Sequence, residues 1–306
     1  MIKHQAGFVA IVGRPNVGKS TLFNRLLGEK IAIVTPRPQT TRNRILGVLT
    51  RPALQIAFLD TPGLHAAKKG GINEAMVQAT MGAMGEVDVV MHLIEAHPEG
   101  RVHPLQQETA LRVAESKKPV VLVINKIDNV PRPRLLPLIA AWSNVHTWQE
   151  IYPLSALTGE NVEGLPDLIA RYLPASPPLF PPDVLTDQAE RTLCAEYVRE
   201  QFMQLLREEV PYSVAVEVEQ FDESERAPSA KGRGLVRIDA VVIVERESQK
   251  GIVIGRGGQL LKEAGTRARK EIERLLGCRV YLALTVRVER GWTTRPEALR
   301  RFGYRQ

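Results

Sequence analysis

The chain has 306 residues, 44% of them hydrophobic and 25% charged, with a net charge of +7, a composition that suits a folded globular protein with room for two domains. No apolar run approaches the roughly 20 residues of a membrane span, and the start, Met1 to Gly13, lacks the pattern of a cleaved signal. Two cysteines, Cys194 and Cys278, stand far apart without metal spacing and read as buried thiols in a reducing cytoplasm. The six histidines are scattered, form no ligand cluster, and are expected to be satisfied or solvent-facing.

Taken in chain order, short apolar runs alternate with helical patterns. The runs are GFVAIVG (Gly7 to Gly13), LQIAFLD (Leu54 to Asp60), VDVVMHLIEA (Val87 to Ala96), PVVLVINK (Pro119 to Lys126) and EIYPLSA (Glu150 to Ala156). Strands apolar on both faces belong to a parallel sheet covered by helices. NEAMVQATMGAM and LPDLIARYL carry helical periodicity between and after them. Residues 1–173 therefore predict a doubly wound α/β domain. PASPPLFPPD, Pro174 to Asp183, holds five prolines. Proline fixes φ and lacks an N–H, so this stretch predicts a stiff, extended linker between domains.

Beyond it the pattern changes. Residues 187–209 predict a long amphipathic helix. VAVEVEQ puts Val214, Val216 and Val218 on one face, and LVRIDAVVIVER and RVYLALTVRVER also alternate. Three one-sided strands with helices predict a small α+β layer over 184–306, with an antiparallel or mixed sheet. PEALRRFGY predicts a short basic helix at the tail.

Motifs in the first domain point to a nucleotide. GRPNVGKS fits G-x-x-x-x-G-K-[S/T] between a strand and a helix. There, Gly13, Arg14, Pro15, Asn16, Val17, Gly18, Lys19, Ser20 and Thr21 would surround phosphates at a helix N-terminus, every one of them except Pro15 with a backbone N–H to offer. Lys19 is expected on the β- and γ-phosphates and Ser20 on Mg²⁺. DTPG follows a strand, so Asp60 would present a carboxylate to Mg²⁺ and the Gly63 N–H would sense a γ-phosphate, with Thr61, Pro62 and Leu64 around them. NKID ends another strand, and a carboxylate at Asp128, beside Asn125 and Lys126, accepts N1–H and N2–H of guanine. Ser155, Ala156 and Leu157 end the next strand and can offer an N–H to guanine O6. All four motifs lie at carboxyl ends of parallel strands, where open α/β sheets bind ligands.

In this order the motifs resemble a translation-factor-type GTPase of the Era group. The resemblance extends to QTTRNRILG: Gln39, Thr40, Thr41, Arg42 and Asn43 are similar to that group's switch I, which implies Thr41 as a Mg²⁺ ligand with Thr40 beside it. Leu64 stands where Ras-type proteins keep a water-orienting Gln, and an apolar side chain cannot take that role. In some similar GTPases an Asn at the place of Asn16 helps hold K⁺, together with switch I carbonyls, so the resemblance implies K⁺ as an additional cofactor.

Charge is unevenly spread. Residues 1–182 carry 19 Lys/Arg against 14 Asp/Glu, residues 183–250 carry 9 against 15, and residues 251–306 carry 13 against 5. A basic block after an acidic one suggests a face for a polyanion. Within it GRGG, Gly255 to Gly258, lacks the Lys-Ser that a triphosphate needs, but fits the G-x-x-G that clamps single-stranded nucleic acid. Arg256 at the tip adds charge, Gly257 leaves room for a backbone, and Ile252, Ile254, Leu261 and Lys262 flank the loop. The order helix, strand, strand, loop, helix, strand resembles the type II KH domain at the C-terminus of Era. The resemblance then covers nearly the whole chain. It implies a monomeric, Mg²⁺-dependent switch that binds GTP and GDP, with the 3′ end of 16S rRNA and the 30S ribosomal subunit as partners. It also implies a cytoplasmic location with loose association at the inner face of the cell membrane. Two rival readings stay open: an RNA-binding protein whose nucleotide domain is a scaffold, and a GTPase whose second domain binds protein.

Overall fold

The computed structural model describes residues 4–64, 71–228 and 234–304, which divide into two compact units. The first contains β1 (Gln5–Gly13), α1 (Lys19–Leu27), β2 (Ile45–Arg51), β3 (Leu54–Asp60), α2 (Gly71–Glu86), β4 (Val89–Glu95), α3 (Pro104–Ala114), β5 (Val120–Asn125), α4 (Leu135–Ser143), β6 (Glu150–Pro153) and α5 (Leu165–Ala170). The sheet order is β2-β3-β1-β4-β5-β6. All pairs are parallel except β2 with β3. The five strands expected from sequence are present, and β2 is a sixth, antiparallel at the edge.

Every residue of β3 and β5 is buried, as strands covered on both faces must be. Each fully buried Val, Leu or Ile contributes about 1.5–3 kcal/mol relative to exposure, so this core fixes the register. That register aligns Ile11 with Asp60, Gly13 with Leu93, and Glu95 with Asn125. The carboxyl ends that carry the motifs therefore finish at one edge.

The proline stretch, expected as a stiff, extended linker, packs with the first unit, which runs on to Asp187. Ser176 N donates to His4 O at 3.1 Å, and Val48 N donates to Leu185 O at 2.8 Å. Gln55, fully buried in β3, accepts from Leu179 N and Phe180 N at 2.6 and 2.9 Å and donates to Phe180 O at 2.9 Å. The amide of Gln55 thus imitates a strand backbone, and the non-proline residues supply the N–H groups that the prolines lack.

The second unit contains α6 (Glu190–Leu205), β7 (Ala215–Glu225), β8 (Leu235–Val244), α7 (Glu247–Ile254), α8 (Gln259–Leu276), β9 (Arg279–Val288) and α9 (Pro296–Arg301). It also takes in the segment Ile33–Thr40. The sheet is mixed: β7 pairs antiparallel with β8, and β8 parallel with β9. A parallel pair needs a crossover, which α7 and α8 provide. Val214 and Val218 join the core, with Val216 packed against it and Ala264, Ala268, Ile272 and Leu276 of α8 opposite.

The strands are not all one-sided, however. Ala215, Val241 and Ile243 face a second cluster built by Trp292, Ala298, Leu299 and Tyr304. The short basic tail helix expected from sequence is present as α9, and its apolar residues cover the other sheet face. Trp292 Nε1 donates to Ser213 O at 2.9 Å, which satisfies the indole inside that cluster.

Candidate nucleotide site and glycine loop

The first site assembles where β1, β3, β5 and β6 end. Gly18 closes the loop after β1 with φ +98°, and a Cβ there would stand 2.3 Å from Asn125 Nδ2, so both backbone and space require glycine. Asn16 is exposed at the tip with φ 64°. Val17 is buried, Pro15 and Thr21 are half-buried, and Arg14 Nη1 donates to Leu105 O at 3.2 Å. Lys19 is 7% exposed, and its Nζ donates to Arg14 O at 3.0 Å.

Three oxygens converge beside this loop. Ser20 Oγ donates to Asp60 Oδ2 at 2.7 Å and lies 2.8 Å from Thr41 Oγ1, and Thr41 Oγ1 donates to the same Oδ2 at 3.3 Å. Neighbouring ligands of octahedral Mg²⁺ with bonds of about 2.1 Å lie about 3 Å apart, so the spacing and the hard oxygen donors fit that ion. Asp60 Oδ1 is buried with no hydrogen-bond partner among the described residues, an acceptor that a cation satisfies.

Electrostatics point the same way. Burial pushes Asp60 up to about 6, against the opposing effects of Lys19 and of hydrogen bonds from Ser20, Thr41 and Thr61. Burial pushes Lys19 down to about 8, against the charge of Asp60. Each charge is penalised by desolvation, and each is relieved by an opposite charge in the site: a cation for Asp60, a polyanion for Lys19.

The rest of DTPG is locked from below. Thr61 Oγ1 donates to Ile11 O at 2.8 Å, Thr80 Oγ1 to Pro62 O at 3.1 Å, and Leu64 N to Gly13 O at 2.9 Å. A Cβ on Gly63 would meet Pro15 N at 2.7 Å. The Leu64 side chain is buried in the cluster of Val12, Val90 and Ile94. Of the residues expected to form switch I, Arg42 is buried, and Gln39 and Asn43 are half-buried. Thr40 differs from Thr41: its Oγ1 bonds to Thr35 Oγ1 and to Arg37 O at 2.6 and 2.8 Å, inside the second unit.

The remaining motifs form a braced ledge. Asn125 is 1% exposed. Its Nδ2 donates to Val17 O at 2.7 Å, and its Oδ1 accepts from Ala156 N at 2.8 Å, so it ties the phosphate loop to the Ser155–Leu157 turn. Lys126 Nζ pairs with Glu95 at 3.0 Å. Asp128 is exposed. Ser155 is buried and its Oγ accepts from Thr158 N at 3.1 Å, whereas Leu157 is 71% exposed.

Two residues of this region escaped the sequence reading. Arg25 of α1 donates to Ala156 O at 2.6 Å and to Leu157 O at 2.5 Å, and no local pattern marks a contact 131 residues away. His92 of β4 is 1% exposed with neither ring nitrogen partnered among the described residues. It is neither satisfied nor solvent-facing, contrary to expectation. Burial, helped by the nearby Lys19 charge, holds it down at about 3, so it is neutral.

In the second unit GRGG joins α7 to α8. Gly255 has φ 73°, and a Cβ on it would press on Leu260 Cβ at 2.7 Å. Gly257 and Gly258 also have positive φ, with open space where a Cβ would stand. Ile252 is 49% exposed, and Ile254 and Leu261 are half-buried. Much of the basic block is internally paired: Arg267 with Glu263, Arg274 with Glu271, Arg287 with Glu219, and Arg295 and Arg301 with Glu289. Arg256, Lys262, Arg269 and Lys270 are exposed, and none has an ion pair among the described residues. Unspent positive charge therefore stands on the loop and α8, as well as at exposed Arg290 and Arg300 nearer the C-terminus.

Comparison with known proteins matches both units. A model described as a 50S ribosome-binding GTPase covers residues 8–126, and a KH domain model covers residues 209–293. The chain is 49% identical over 301 residues to GTPase Era of Geotalea daltonii, across 98% of this chain and 97% of that one. It is 46% identical over 305 residues to GTPase Era of Syntrophus aciditrophicus, across 100% and 97%. Among solved structures it is similar to Era in complex with MgGDPNP and nucleotides 1506–1542 of 16S ribosomal RNA, with a TM-score of 0.92, 44% identity and coverage of 99% and 100%. An Aquifex aeolicus Era variant bound to GDP.AlF4- gives a TM-score of 0.91 with the same identity and coverage. With both domains matched in order and nearly every residue covered at close to one identity in two, the chain belongs to the Era family of GTPases.

Proposed function

We propose that this protein is a GTP-hydrolysing switch that binds the 3′ end of 16S rRNA and acts in biogenesis of the 30S ribosomal subunit. The convergence of Ser20, Thr41 and Asp60 beside the phosphate loop carries the first half of the reading. In it, N–H groups from Gly13 to Thr21 and the α1 N-terminus hold the phosphates, and Lys19 leaves Arg14 O for the β- and γ-phosphates. Asp128 accepts from N1–H and N2–H of guanine. Asn125 and Arg25 hold the ledge that offers an N–H to O6. Mg²⁺ bound by the three oxygens would neutralise charge shared between the β- and γ-phosphates. Leu64, turned into the core, takes no part in orienting water.

A second cation fits the same reading. The Asn16 amide oxygen is a neutral, exposed ligand suited to K⁺, and a monovalent ion there would offset charge on the phosphates as an arginine finger does. Single-turnover GTP cleavage is expected to run faster in KCl than in NaCl of equal ionic strength, and Asn16→Ala is expected to remove the difference. Equal rates in the two salts for the unmodified protein would exclude K⁺.

RNA recognition is assigned to the GRGG loop, where open glycines admit a sugar-phosphate backbone, Arg256 and Lys262 supply charge, and Ile252, Ile254 and Leu261 offer apolar surface to bases. The Era relative solved with nucleotides 1506–1542 of 16S ribosomal RNA supports that choice of partner. Changing Arg256 and Gly257 together to Asp is expected to weaken binding of a 16S 3′-end oligonucleotide at least about tenfold and to flatten its salt dependence. GTP turnover without RNA should be unchanged. Unaltered affinity in a filter-binding titration would move the RNA site elsewhere, and RNA affinity without salt dependence would argue against an electrostatic interface. The reading places the protein in the cytoplasm as a monomer. No helix among the described residues is long and apolar enough to cross a membrane, and peripheral association with the inner face of the cell membrane rests on the family resemblance alone.

A further inference from the structure

The turn that follows β6 spends nearly all its backbone donors on itself. Ser155 N donates to Glu160 O at 3.0 Å and Gly159 N to Ser155 O at 2.9 Å. Thr158 N donates to Ser155 Oγ at 3.1 Å, and Glu160 N to Thr158 Oγ1 at 3.3 Å. Ala156 N is held by Asn125 Oδ1 at 2.8 Å. Leu157 N alone donates to nothing among the described residues, and Leu157 is 71% exposed. It is the N–H that this turn holds out to a ligand.

The direction of that N–H is set from α1, in the same compact unit. Arg25 Nε donates to Ala156 O at 2.6 Å, and its Nη2 to Leu157 O at 2.5 Å. No peptide bond among the described residues is cis, so the C=O and N–H of each peptide point opposite ways in one plane. Ala156 O, turned onto Arg25, therefore turns the Leu157 N–H away from it. Leu157 O, turned the same way, sends the Thr158 N–H away onto Ser155 Oγ. One planar fork thus fixes the two peptide planes on either side of Leu157 Cα, which a lysine ammonium on a flexible stem cannot do with the same geometry. Gly159 leaves space for the fork: its φ is +92°, and a Cβ on it would stand 2.9 Å from Arg25 Nη1.

We propose that Arg25 is a positioning residue that sets base specificity: by holding the carbonyls of Ala156 and Leu157 it aims the Leu157 N–H at O6 of guanine. The proposal rests on the reading of Asp128 and the Ser155–Leu157 turn as the guanine site. Asp128 accepts from N1–H and N2–H, and a donor at O6 completes recognition of that edge. Adenine carries an amino group in place of O6, so the aimed N–H faces a second donor and adenine is rejected. The base is the same in GTP and GDP. Loss of the fork therefore weakens both nucleotides alike and spares the chemical step, the mark of binding shared by ground and transition states. One misaimed hydrogen bond is worth about tenfold in affinity at most.

The test compares GDP with 6-thio-GDP, which keeps N1–H and N2–H for Asp128 but replaces O6 by sulfur, a weak acceptor. The full-length Arg25→Lys protein keeps the charge and loses the fork. The unmodified protein should bind GDP about tenfold more tightly than 6-thio-GDP. In Arg25→Lys, GDP should weaken by about that factor and 6-thio-GDP by less than about twofold, so that the gap closes, because the two changes act through one hydrogen bond. The preference for GDP over ADP should fall by a similar factor, while kcat for GTP stays within about twofold. Should the lysine variant fail to fold, Arg25→Gln, which also removes the fork, is judged by the same comparison. Unchanged GDP affinity would overturn the proposal. So would an equal loss for GDP and 6-thio-GDP, which would make Arg25 a brace of the turn without a part in reading O6. Equal binding of the two by the unmodified protein would show that O6 is not read, and would overturn it as well. Equal binding of GDP and ADP by the unmodified protein would instead overturn the reading of the guanine site itself, and the proposal with it.

Discussion

The Asp128→Asn protein is expected to turn over XTP in preference to GTP, with the ratio of the two kcat/KM values shifted by about a thousandfold or more. Asp128 sits in the single 3-10 turn Ile127–Asn129 that follows β5. The turn is pinned from beneath by buried Ile127 and by the bond from Ile127 N to Leu154 O at 3.4 Å. Its carboxylate accepts only, so it matches the two N–H groups on the edge of guanine. An asparagine amide keeps one acceptor and presents a donor instead, which suits the 2-oxo group of xanthine and leaves guanine N2–H facing another N–H. Sites built to hydrogen-bond a substrate group reject a mismatched analogue by 10⁴ to 10⁵ in the best cases, because buried polar groups are then left unpaired. The ledge here is partly open, so about a thousandfold is the scale expected. Asp128 is exposed, so stability should move by no more than about 0.5 kcal/mol. A competition between GTP and XTP measures the shift, and a variant that still favours GTP would show that Asp128 does not read the base.

How much of this was legible in the sequence depends on the range of the interaction that fixes each element. GRPNVGKS, DTPG and NKID announce themselves because strand, turn chemistry and functional group sit within a few residues of one another. The edge strand β2 was not seen: its residues follow the polar QTTRNR, and its strand character comes from pairing with β3 and from the Val48 N bond to Leu185 O. The proline stretch was read correctly as non-helical, yet its attachment depends on Gln55, whose buried amide means nothing until Leu179 and Phe180 are placed on it. Arg25 and Asn125 act as braces across more than 100 residues, and spacing along the chain carries no trace of that.

The second unit shows the same division. Alternation located three strands and the G-x-x-G located the loop. α7 was missed because ESQKGIVI contains a glycine and β-branched residues that favour extended backbone. Its start is fixed by the Gln249 side chain, which accepts from Glu245 N and Arg246 N at 2.9 and 3.0 Å. The tail read as a charged helix because its arginines dominate, whereas Trp292, Leu299 and Tyr304 decide where it goes. Net charge also overstated the basic face, since five arginines of the block are spent on glutamates of the same unit.

Lys19→Met is expected to reduce kcat/KM for GTP by about a thousandfold while leaving the fold intact without nucleotide. The ammonium is buried, bonds to Arg14 O, and is pushed down to about 8 by desolvation, so holding its charge at pH 7 costs the folded state. A base whose folded pKa lies below its unfolded value binds protons better when unfolded, and stability then rises as pH rises through about 8 towards its usual 10.5. The scale is a few kcal/mol by the usual 1.4 kcal/mol per pKa unit, less what Asp60 loses when its partner goes. Methionine keeps the unbranched apolar stem of lysine, one atom shorter, and removes both the charge and that cost. At neutral pH the melting temperature of the variant should therefore equal or exceed that of the unmodified protein, and the difference should shrink towards pH 10. With GTP present the balance reverses, because the phosphates supply the charge that burial denied, and removal of one preorganised cation or donor costs about a hundred- to a thousandfold in comparable sites. Turnover within tenfold of the unmodified protein would place Lys19 away from the β- and γ-phosphates. A fall in the melting temperature without nucleotide would mean that the lysine serves the fold, and would reverse the sign argued from its burial.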